Sequence, residues 1–317
     1  MCILISTTSH PDYPLILLSN RDEYFGRPTQ LANKRTLPNG TELLSPLDLG
    51  RKEHGTWIGV TSLGKLAVLV NYCEPNMTVS EVSRGILPID YLSSDLDDDT
   101  WYTSLEESLS KKVCVRTSNV LNLIGGFTLV YGKLDIDETT GRIKPLNIIS
   151  NRGDRGKIHA EHDLRGDLHQ QIALQKTFSV SNSLYYEPWK KVDLACNSLS
   201  ELVETSVFKG FSGEQLVEAC FDVLSKDTFP REPNNDLLKL PETMKSLRES
   251  VFIPPLNCTP TSASPMLYGT RTQTVILLHK SRKLHYYERD LHSINDEKIE
   301  IKEQSYLFDL SPASDIS

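Results

Sequence analysis

The first 23 residues, MCILISTTSHPDYPLILLSNRDE, decide how the chain begins to fold. Residues 2–7 and 13–19 are apolar runs of strand length, and the Ser-His-Pro-Asp between them is typical of a turn. The sequence therefore predicts a β-hairpin at the start of the chain. Because the stretch has no Lys or Arg before Arg21, it resembles neither a signal peptide nor an Arg-rich transit peptide.

Further apolar runs along the chain predict an α+β fold. Strands are expected at residues 56–62, 65–72, 120–131, 146–151, 178–182, 274–278 and 284–288, and helices at 198–208, 213–225 and from about 101. Since many of these strands are joined by short turns, antiparallel sheets flanked by helices are favoured over the βαβ order of a nucleotide-binding fold. We expect a single domain over residues 1–317, with a polar, proline-containing excursion at about 226–255.

The composition is that of an ordinary globular protein. The 317 residues include 34 basic and 42 acidic side chains, and this balance argues against a nonspecific nucleic-acid binder. No stretch approaches the roughly 18 apolar residues that indicate a transmembrane helix. The six cysteines include no CxxC pair, so we expect free thiols in a reducing compartment. Cys220 falls on the apolar stripe of the 213–225 helix and is expected in the core.

Cys2 is a candidate nucleophile because it directly follows Met1. Once Met1 is removed, the α-amino group of Cys2, with a reference pKa of about 7.7–8.0, lies next to its own thiol and can act as general base. One residue then supplies nucleophile and base together, as in N-terminal nucleophile enzymes. The alternative is a buried cysteine at the start of an inner strand, which is the commoner role in an arbitrary sequence.

Two charged residues follow the second strand of the predicted hairpin and are expected near the start of the chain. Arg21 would favour the Cys2 thiolate, and Asp22 would hold or orient the α-amine. Because side chains alternate along a strand, the two cannot both point at the thiol unless the strand has already turned. The alternative is an exposed, polar strand end.

Three more polar residues lie next to predicted strands. Asn71 and Asn182 each follow an apolar run, where an asparagine usually forms a turn but can also stabilise an oxyanion with its neutral amide. Arg271 precedes the 274–278 strand. It would place a second positive charge over the thiolate, bind an acidic group of a substrate, or bridge surface carboxylates.

The signals for a metal or cofactor are weak. His159 and His162 have the spacing of two ligands on a helix, but no third ligand is nearby, so a solvated segment is favoured. No glycine-rich phosphate-binding motif is present. We therefore expect neither a metal nor a cofactor.

Seven motifs occur in one order and carry a family resemblance. They are Met1-Cys2, Ser19-Asn20-Arg21-Asp22-Glu23, Gly55-Thr56-Trp57-Ile58-Gly59-Val60, Asn71-Tyr72, Ser83-Arg84-Gly85, Ser181-Asn182-Ser183 with Pro188-Trp189-Lys190-Lys191-Val192, and Tyr268-Gly269-Thr270-Arg271. Together they resemble the NRDE-domain family, known as the transport and Golgi organization (Tango) family, from Cys2 to about Arg289. That family is similar in turn to cysteine N-terminal nucleophile hydrolases such as penicillin V acylases, bile salt hydrolases and isopenicillin N acyltransferases.

The resemblance implies an αββα sandwich, in which two antiparallel sheets lie between layers of helices. It also implies a catalytic set made of the nucleophile Cys2, its charged neighbour Arg21 or Asp22, the oxyanion-hole residues Asn71 and Asn182, and the late active-site residue Arg271. In those hydrolases the early Arg and Asp are separated by other residues, whereas here they are adjacent. The individual roles of Arg21 and Asp22 therefore stay open.

Two functions follow from the residues and the resemblance. The first is an amidohydrolase or acyl-transfer enzyme that acts on a small amide or thioester. The second is a non-catalytic carrier that uses the same pocket for haem or an acyl-lipid such as acyl-CoA, since family members have been linked to Golgi organisation, secretion, lipid metabolism and haem mobilisation. A third hypothesis is a scaffold in secretory traffic, which predicts a large apolar surface patch. The start of the chain fits a cytoplasmic protein, with a mitochondrial or Golgi-associated fraction as alternatives.

Overall fold

The chain divides into two compact units. A computed structural model describes residues 2–74, 80–112, 120–153, 155–161, 169–230, 245–258, 266–292 and 301–310. The first unit comprises Met1–Arg27 and Lys176–Asp309, and the second comprises Pro28–Gln175 and Leu310–Ser317. The single domain expected over residues 1–317 stays a prediction beside this division.

The described residues form strands and helices in a mixed order. The strands are β1 (Ile3–Thr7), β2 (Leu15–Tyr24), β3 (Thr29–Thr36), β4 (Glu42–Asp48), β5 (Ile58–Thr61), β6 (Lys65–Asn71), β7 (Phe127–Lys133), β8 (Leu146–Ser150), β9 (Gly156–Ile158), β10 (Thr177–Val180), β11 (Leu256–Asn257), β12 (Leu267–Leu278), β13 (Lys283–Asp290) and β14 (Lys302–Asp309). The helices are α1 (Ile86–Leu92), α2 (Asp98–Lys112), α3 (Gln170–Ala173), α4 (Lys190–Lys209) and α5 (Gly213–Leu224), with a 3₁₀ turn at Val120–Leu123.

The first unit contains one antiparallel sheet in which the described strands lie in the order β10-β1-β2-β12-β13-β14, with β11 paired to β12. The predicted hairpin is confirmed, because β1 and β2 pair with Ile3 opposite Asn20. The strands β12 and β13 also form the predicted pair near the end of the chain. The middle of this sheet is therefore built from the two ends of the sequence.

Helices α4 and α5 cover one face of the first sheet. Alternate residues of the hairpin and β12, such as Ile3, Ile16 and Val275, pack in one buried cluster with helix residues such as Leu199 and Cys220. Cys220 is completely buried there, which confirms its predicted place in the core.

The second unit contains the other antiparallel sheet, in which the described strands follow the order β3-β4-β5-β6-β7-β8-β9. The apolar sides of α1 and α2 pack on β6 and β7, where Trp101 and Leu105 meet Leu69 and Tyr131. Two antiparallel sheets with accompanying helices make an α+β fold, as the sequence predicts.

The structure departs from the sequence predictions at several boundaries. Strand β2 runs on to Tyr24 and takes in the polar residues 20–23. Within it, Asn20 donates to the carbonyl oxygens of Leu224 and Val251, and Asp22 accepts from Thr270. Helix α4 begins at Lys190 rather than at 198. Several described elements were not expected from the sequence because their apolar patterns are short or irregular: β3, β4, β9, β11, β14, α1 and α3.

Two further predictions lie partly or wholly outside the described residues. Within the polar excursion at 226–255, residues 231–244 are not described. Likewise His162 is not described, and no group of three or more His, Cys, Asp or Glu that could hold a metal occurs among the residues that are. No described helix is both long enough and apolar enough to cross a membrane.

Candidate active site

Cys2 and Asn182 are joined by a direct hydrogen bond in the first unit. The backbone nitrogen of Cys2 donates to Oδ1 of Asn182 at 2.7 Å, and the Ser181 hydroxyl donates to the carbonyl oxygen of Cys2 at 2.8 Å. The register of β1 and β10 explains this contact, because Leu4 pairs with Val180 and the next positions along the two strands bring Cys2 to Asn182. The two residues that the sequence places 180 positions apart are therefore neighbours.

Arg21 lies on the strand next to Cys2. Because Ile3 pairs with Asn20 across β1 and β2, the same register carried on by one residue sets Cys2 alongside Arg21. The Arg21 side chain is buried, and its Nη2 lies 3.4 Å from Oε2 of Glu23, which is two residues further along the same strand face.

Asp22 faces the opposite side of β2. Its Oδ1 accepts a hydrogen bond of 2.8 Å from the Thr270 hydroxyl, and its Oδ2 lies 3.8 Å from Nζ of Lys191. The strand does not turn before these residues, so Arg21 and Asp22 point to different sides, as the alternation along a strand requires. The two adjacent charges therefore have different neighbours.

Lys191 is a further residue of the site, and in the sequence it is marked only as part of the Pro188–Val192 motif. It lies in the first turn of α4, and both its side chain and that of Asp22 are completely buried. Burial lowers the pKa of Lys191, and the negative charges of Asp22 and of an ionised Cys2 oppose that shift. A lysine that shares the buried face of α4 with Ala195 and Ser198 is the sequence signal that could have identified it.

Arg271 lies at a β-bulge of β12. Residue 270 pairs with Asp22 and residue 272 with Arg21, so Arg271 is the extra residue and its side chain is re-aimed. Its guanidinium donates to the carbonyl oxygen of Arg27, and its Nε lies 3.8 Å from Oδ1 of Asp290. Arg271 is therefore buried and engaged with an acid, and is not a surface bridge.

Two buried residues near Arg271 were not expected from the sequence. Burial raises the pKa of Asp290, although the charge of Arg271 opposes the shift. His292 stacks on Phe25 with ring centroids 3.9 Å apart, and burial together with Arg271 lowers the pKa of His292 to about 4. The imidazole is accordingly neutral at pH 7. No sequence motif identifies Asp290 or His292, because the end of β13 is brought beside Arg271 only by strand pairing.

Asn71 belongs to the second unit. It is the last residue of β6 and pairs with Phe127 of β7. The described geometry of the first unit thus gathers Cys2, Arg21, Asp22, Asn182 and Arg271 at one end of its sheet. The part of Asn71 in the same site stays a prediction.

The groups around Cys2 suit a thiol nucleophile whose own backbone nitrogen is held in place. The Cys2 nitrogen is held by an amide oxygen, the buried pair of Asp22 and Lys191 lies on one side of β2, and the Arg21 guanidinium lies on the other. Neutral amides and fixed cations can stabilise a negative charge that develops on a reacting carbonyl oxygen.

Comparison with known proteins identifies the family of the chain. Residues 1–293 match the family model described as Transport and Golgi organisation 2. An uncharacterized protein of Saccharomyces cerevisiae is 31% identical, with 94% of each chain covered, and the human Transport and Golgi organization protein 2 homolog is 29% identical, with 92% of this chain and 93% of that protein covered.

Among solved structures, the chain is similar to two bacterial hydrolases at low identity. A conjugated bile acid hydrolase from Clostridium perfringens is 10% identical with a TM-score of 0.36, covering 99% of this chain and 98% of that one. A penicillin V acylase from Agrobacterium tumefaciens is 12% identical with a TM-score of 0.37, covering 98% of this chain and 92% of that one. On its match to the family model and to the curated relatives, the chain belongs to the Transport and Golgi organisation 2 family.

Proposed function

We propose that this protein is an N-terminal nucleophile cysteine enzyme that hydrolyses or transfers the acyl group of a small amide or thioester. The observation that carries the proposal is the 2.7 Å hydrogen bond between the Cys2 nitrogen and Asn182 Oδ1. In this mechanism the α-amine of Cys2 is the base for the thiol of the same residue. The amine must therefore be held in a fixed position, and the hydrogen bond to Asn182 does so. After removal of Met1, the nitrogen is a primary amine.

The reaction begins with proton transfer from the Cys2 thiol to its own α-amine. The thiolate sulfur then attacks the carbonyl carbon of the substrate, and a C–S bond forms while the carbonyl oxygen takes up the electron pair. When the tetrahedral intermediate collapses, the bond to the leaving amine or thiol breaks and the α-ammonium returns a proton to it. Water, or a second acceptor, attacks the acyl-enzyme by the same route and restores the free thiol.

Polar groups around Cys2 support this sequence of steps. Asn182 accepts the hydrogen bond of the Cys2 nitrogen with its amide oxygen, and its amide group is proposed as the first oxyanion donor. Asn71 is proposed as a second oxyanion donor. The guanidinium of Arg271, held between Arg27 and Asp290, is proposed to bind an acidic group of the substrate.

Two measurements test the proposal. Intact-mass spectrometry of the natural protein is expected to show that Met1 is absent, and a retained Met1 contradicts the mechanism because Cys2 then has no free amine. An electrophilic acyl probe is expected to load Cys2 covalently. Loading should be lost in Cys2→Ser and slowed about 10²-fold or more in Asn182→Ala, which is the usual effect of removing one oxyanion donor.

A matched control separates site chemistry from general thiol reactivity. Cys73 is a half-buried free thiol outside β1, and Cys73→Ser should load like the wild type. The carrier function predicts another outcome: haem or long-chain acyl-CoA binds in one-to-one ratio without turnover, and binding survives Cys2→Ser. That outcome would contradict the proposed enzyme and support the carrier function instead.

A further inference from the structure

Ser181 directly precedes the residue that holds the Cys2 nitrogen, and its own hydroxyl donates to the Cys2 carbonyl oxygen at 2.8 Å. We propose that Ser181 is a positioning residue which, together with Asn182, fixes the direction in which the Cys2 side chain leaves the backbone. This role rests on the proposed function and deepens it, since it names the group that aims the thiol at the substrate carbonyl.

The contacts of Ser181 and Asn182 continue a strand pairing that ends before it reaches Cys2. The backbone pairing of β1 and β10 ends at Leu4 and Val180. Beyond this point, two side chains bind the carbonyl oxygen and the nitrogen of Cys2. The first residue of a chain is poorly ordered unless it is tied down. These two hydrogen bonds therefore supply the order that the end of the strand pairing would otherwise take from Cys2.

Two fixed backbone groups determine where the thiol can lie. After removal of Met1 no residue precedes the α-amine, so ψ is the one backbone torsion of Cys2 that moves heavy atoms. The bond from Ser181 holds the peptide group that follows Cys2, and the bond to Asn182 holds the nitrogen relative to that group. Since Cα is chiral, Cβ then has a single direction, and the sulfur retains only the staggered rotamers of χ1.

Burial strengthens the hold of Ser181 on Cys2. The Ser181 side chain is completely buried, whereas Cys2 itself is half-buried. A hydrogen bond that is shielded from water in low-dielectric surroundings is stronger than an exposed one, because no solvent competes for its donor. Ser181 can therefore hold the Cys2 carbonyl group more firmly than a surface hydroxyl could.

Ser179 provides a matched comparison in the same segment. It lies in β10, two residues before Ser181, and its side chain is also buried. Unlike the Ser181 hydroxyl, the hydroxyl of Ser179 forms no hydrogen bond with any residue that the structure describes. Replacement of Ser179 by alanine thus removes the same atom from a similar place without removing a contact to Cys2.

The experiment compares two reactions of Cys2 in the full chain after loss of Met1. One is acylation by p-nitrophenyl acetate, and the other is alkylation by iodoacetamide between pH 6 and pH 9, followed for each thiol by peptide mass spectrometry. Attack on a carbonyl carbon that must lie beside an oxyanion donor depends on how the sulfur is aimed. Alkylation by a small, freely diffusing reagent depends mainly on the ionisation of the thiol.

We expect Ser181→Ala to slow acylation about tenfold, because a displacement of about 1 Å at a reacting group can cost up to about 10²-fold. Its alkylation rates and their pH dependence should remain those of the wild type, since the charges around the thiol are unchanged. Ser179→Ala should match the wild type in both reactions. This split between acylation and alkylation is the signature of positioning, because general loosening of the fold would change both rates.

The possible failures are distinguishable. A wild-type Cys2 that p-nitrophenyl acetate does not acylate contradicts the proposed function. Wild-type acylation in a folded Ser181→Ala contradicts only the role of Ser181. So does a slower acylation that Ser179→Ala shares, or one that is matched by an equal change in alkylation.

A measurement on the wild type keeps the proposal falsifiable if Ser181→Ala does not fold. In protein with ¹³C-labelled cysteine, the NMR order parameter of the Cys2 Cα should be near 0.85, the value of rigid backbone, and the Ser181 hydroxyl proton should give a cross-peak to the Cys2 carbonyl carbon. An order parameter below about 0.6, as in flexible segments, would overturn the proposal. A Ser181 hydroxyl proton that exchanges with water as fast as that of an exposed serine would overturn it as well.

Discussion

At the scale of single residues, Thr270 joins two parts of the candidate site. Its completely buried hydroxyl donates to Oδ1 of Asp22 at 2.8 Å and accepts from the backbone nitrogen of Ile253 at 2.8 Å. One oxygen therefore supports the carboxylate beside Lys191 and also a backbone donor of the neighbouring loop. A buried polar group that loses such a partner bears the full cost of its desolvation.

Replacing Thr270 by valine is expected to destabilise the protein by about 1–3 kcal/mol, because the shape is kept while the hydrogen bonds of Asp22 and Ile253 are lost. Urea unfolding of the variant measures this difference. Thr205, half-buried on α4, offers the control, and Thr205→Val should change the unfolding free energy by less than about 0.5 kcal/mol. Equal midpoints for Thr270→Val and wild type would contradict the proposed support of Asp22.

At the scale of elements, two glycines let distant segments of the second unit meet backbone to backbone. The Thr56 nitrogen donates to the carbonyl oxygen of Gly85 at 3.0 Å, which ties the segment before β5 to the start of α1. A Cβ on Gly55 would lie 2.4 Å from the carbonyl carbon of Gly85. This contact explains why glycine occurs in both the Gly55-Thr56-Trp57 and the Ser83-Arg84-Gly85 motifs.

The substitution Gly55→Ala should cost about 1–3 kcal/mol or more, since the methyl group meets backbone that cannot move away as a side chain would. Thermal unfolding followed by circular dichroism reports the loss. Gly26 is the matched control because no atom lies within 4 Å of the position of an added Cβ and its φ is not in the left-handed region. If Gly55→Ala and Gly26→Ala unfold alike, the close approach does not limit stability.

At the scale of the whole molecule, buried neutral histidines make stability depend on pH. Burial lowers the pKa of His159 to about 4, well below its ordinary value of 6.5. The unfolded chain therefore binds a proton at this residue between pH 6.5 and 4 while the folded chain does not. The stabilisation is fully present above pH 6.5 and is lost as the pH falls towards 4.

We expect the urea midpoint to fall as the pH is lowered from 7.5 to 4, and His159 should contribute up to about 3 kcal/mol to this loss of stability. His159→Asn should flatten this dependence, and asparagine tolerates the φ of 59° found at this position. His54→Asn is the control, because His54 is exposed and also has a positive φ, of 45°. A pH dependence that His159→Asn leaves unaltered would show that His159 is not its source.

The sequence by itself determined those parts of the fold that depend on the pattern of neighbouring residues. Apolar runs and turn residues predict the β1–β2 hairpin and the α+β class, because strand formation and tight turns are governed by neighbouring residues. The predicted strand before Asn182 made that residue a candidate oxyanion donor, and the family resemblance grouped it with Cys2. Weak patterns, such as that of β3, were missed because polar residues occupy most of its positions.

Only the tertiary structure decided the electrostatic surroundings of the site. The continuation of β2 through Arg21 and Asp22, the pairing of Asp22 with Lys191, and the bulge at Arg271 all require partners far away in the chain. A polar residue can be buried only where such a partner satisfies it, and no local pattern encodes that partner. Residues 1–23 thus predict their own two strands from local pattern. The charged groups around Cys2 are instead set by distant residues that pack against this hairpin in the folded protein.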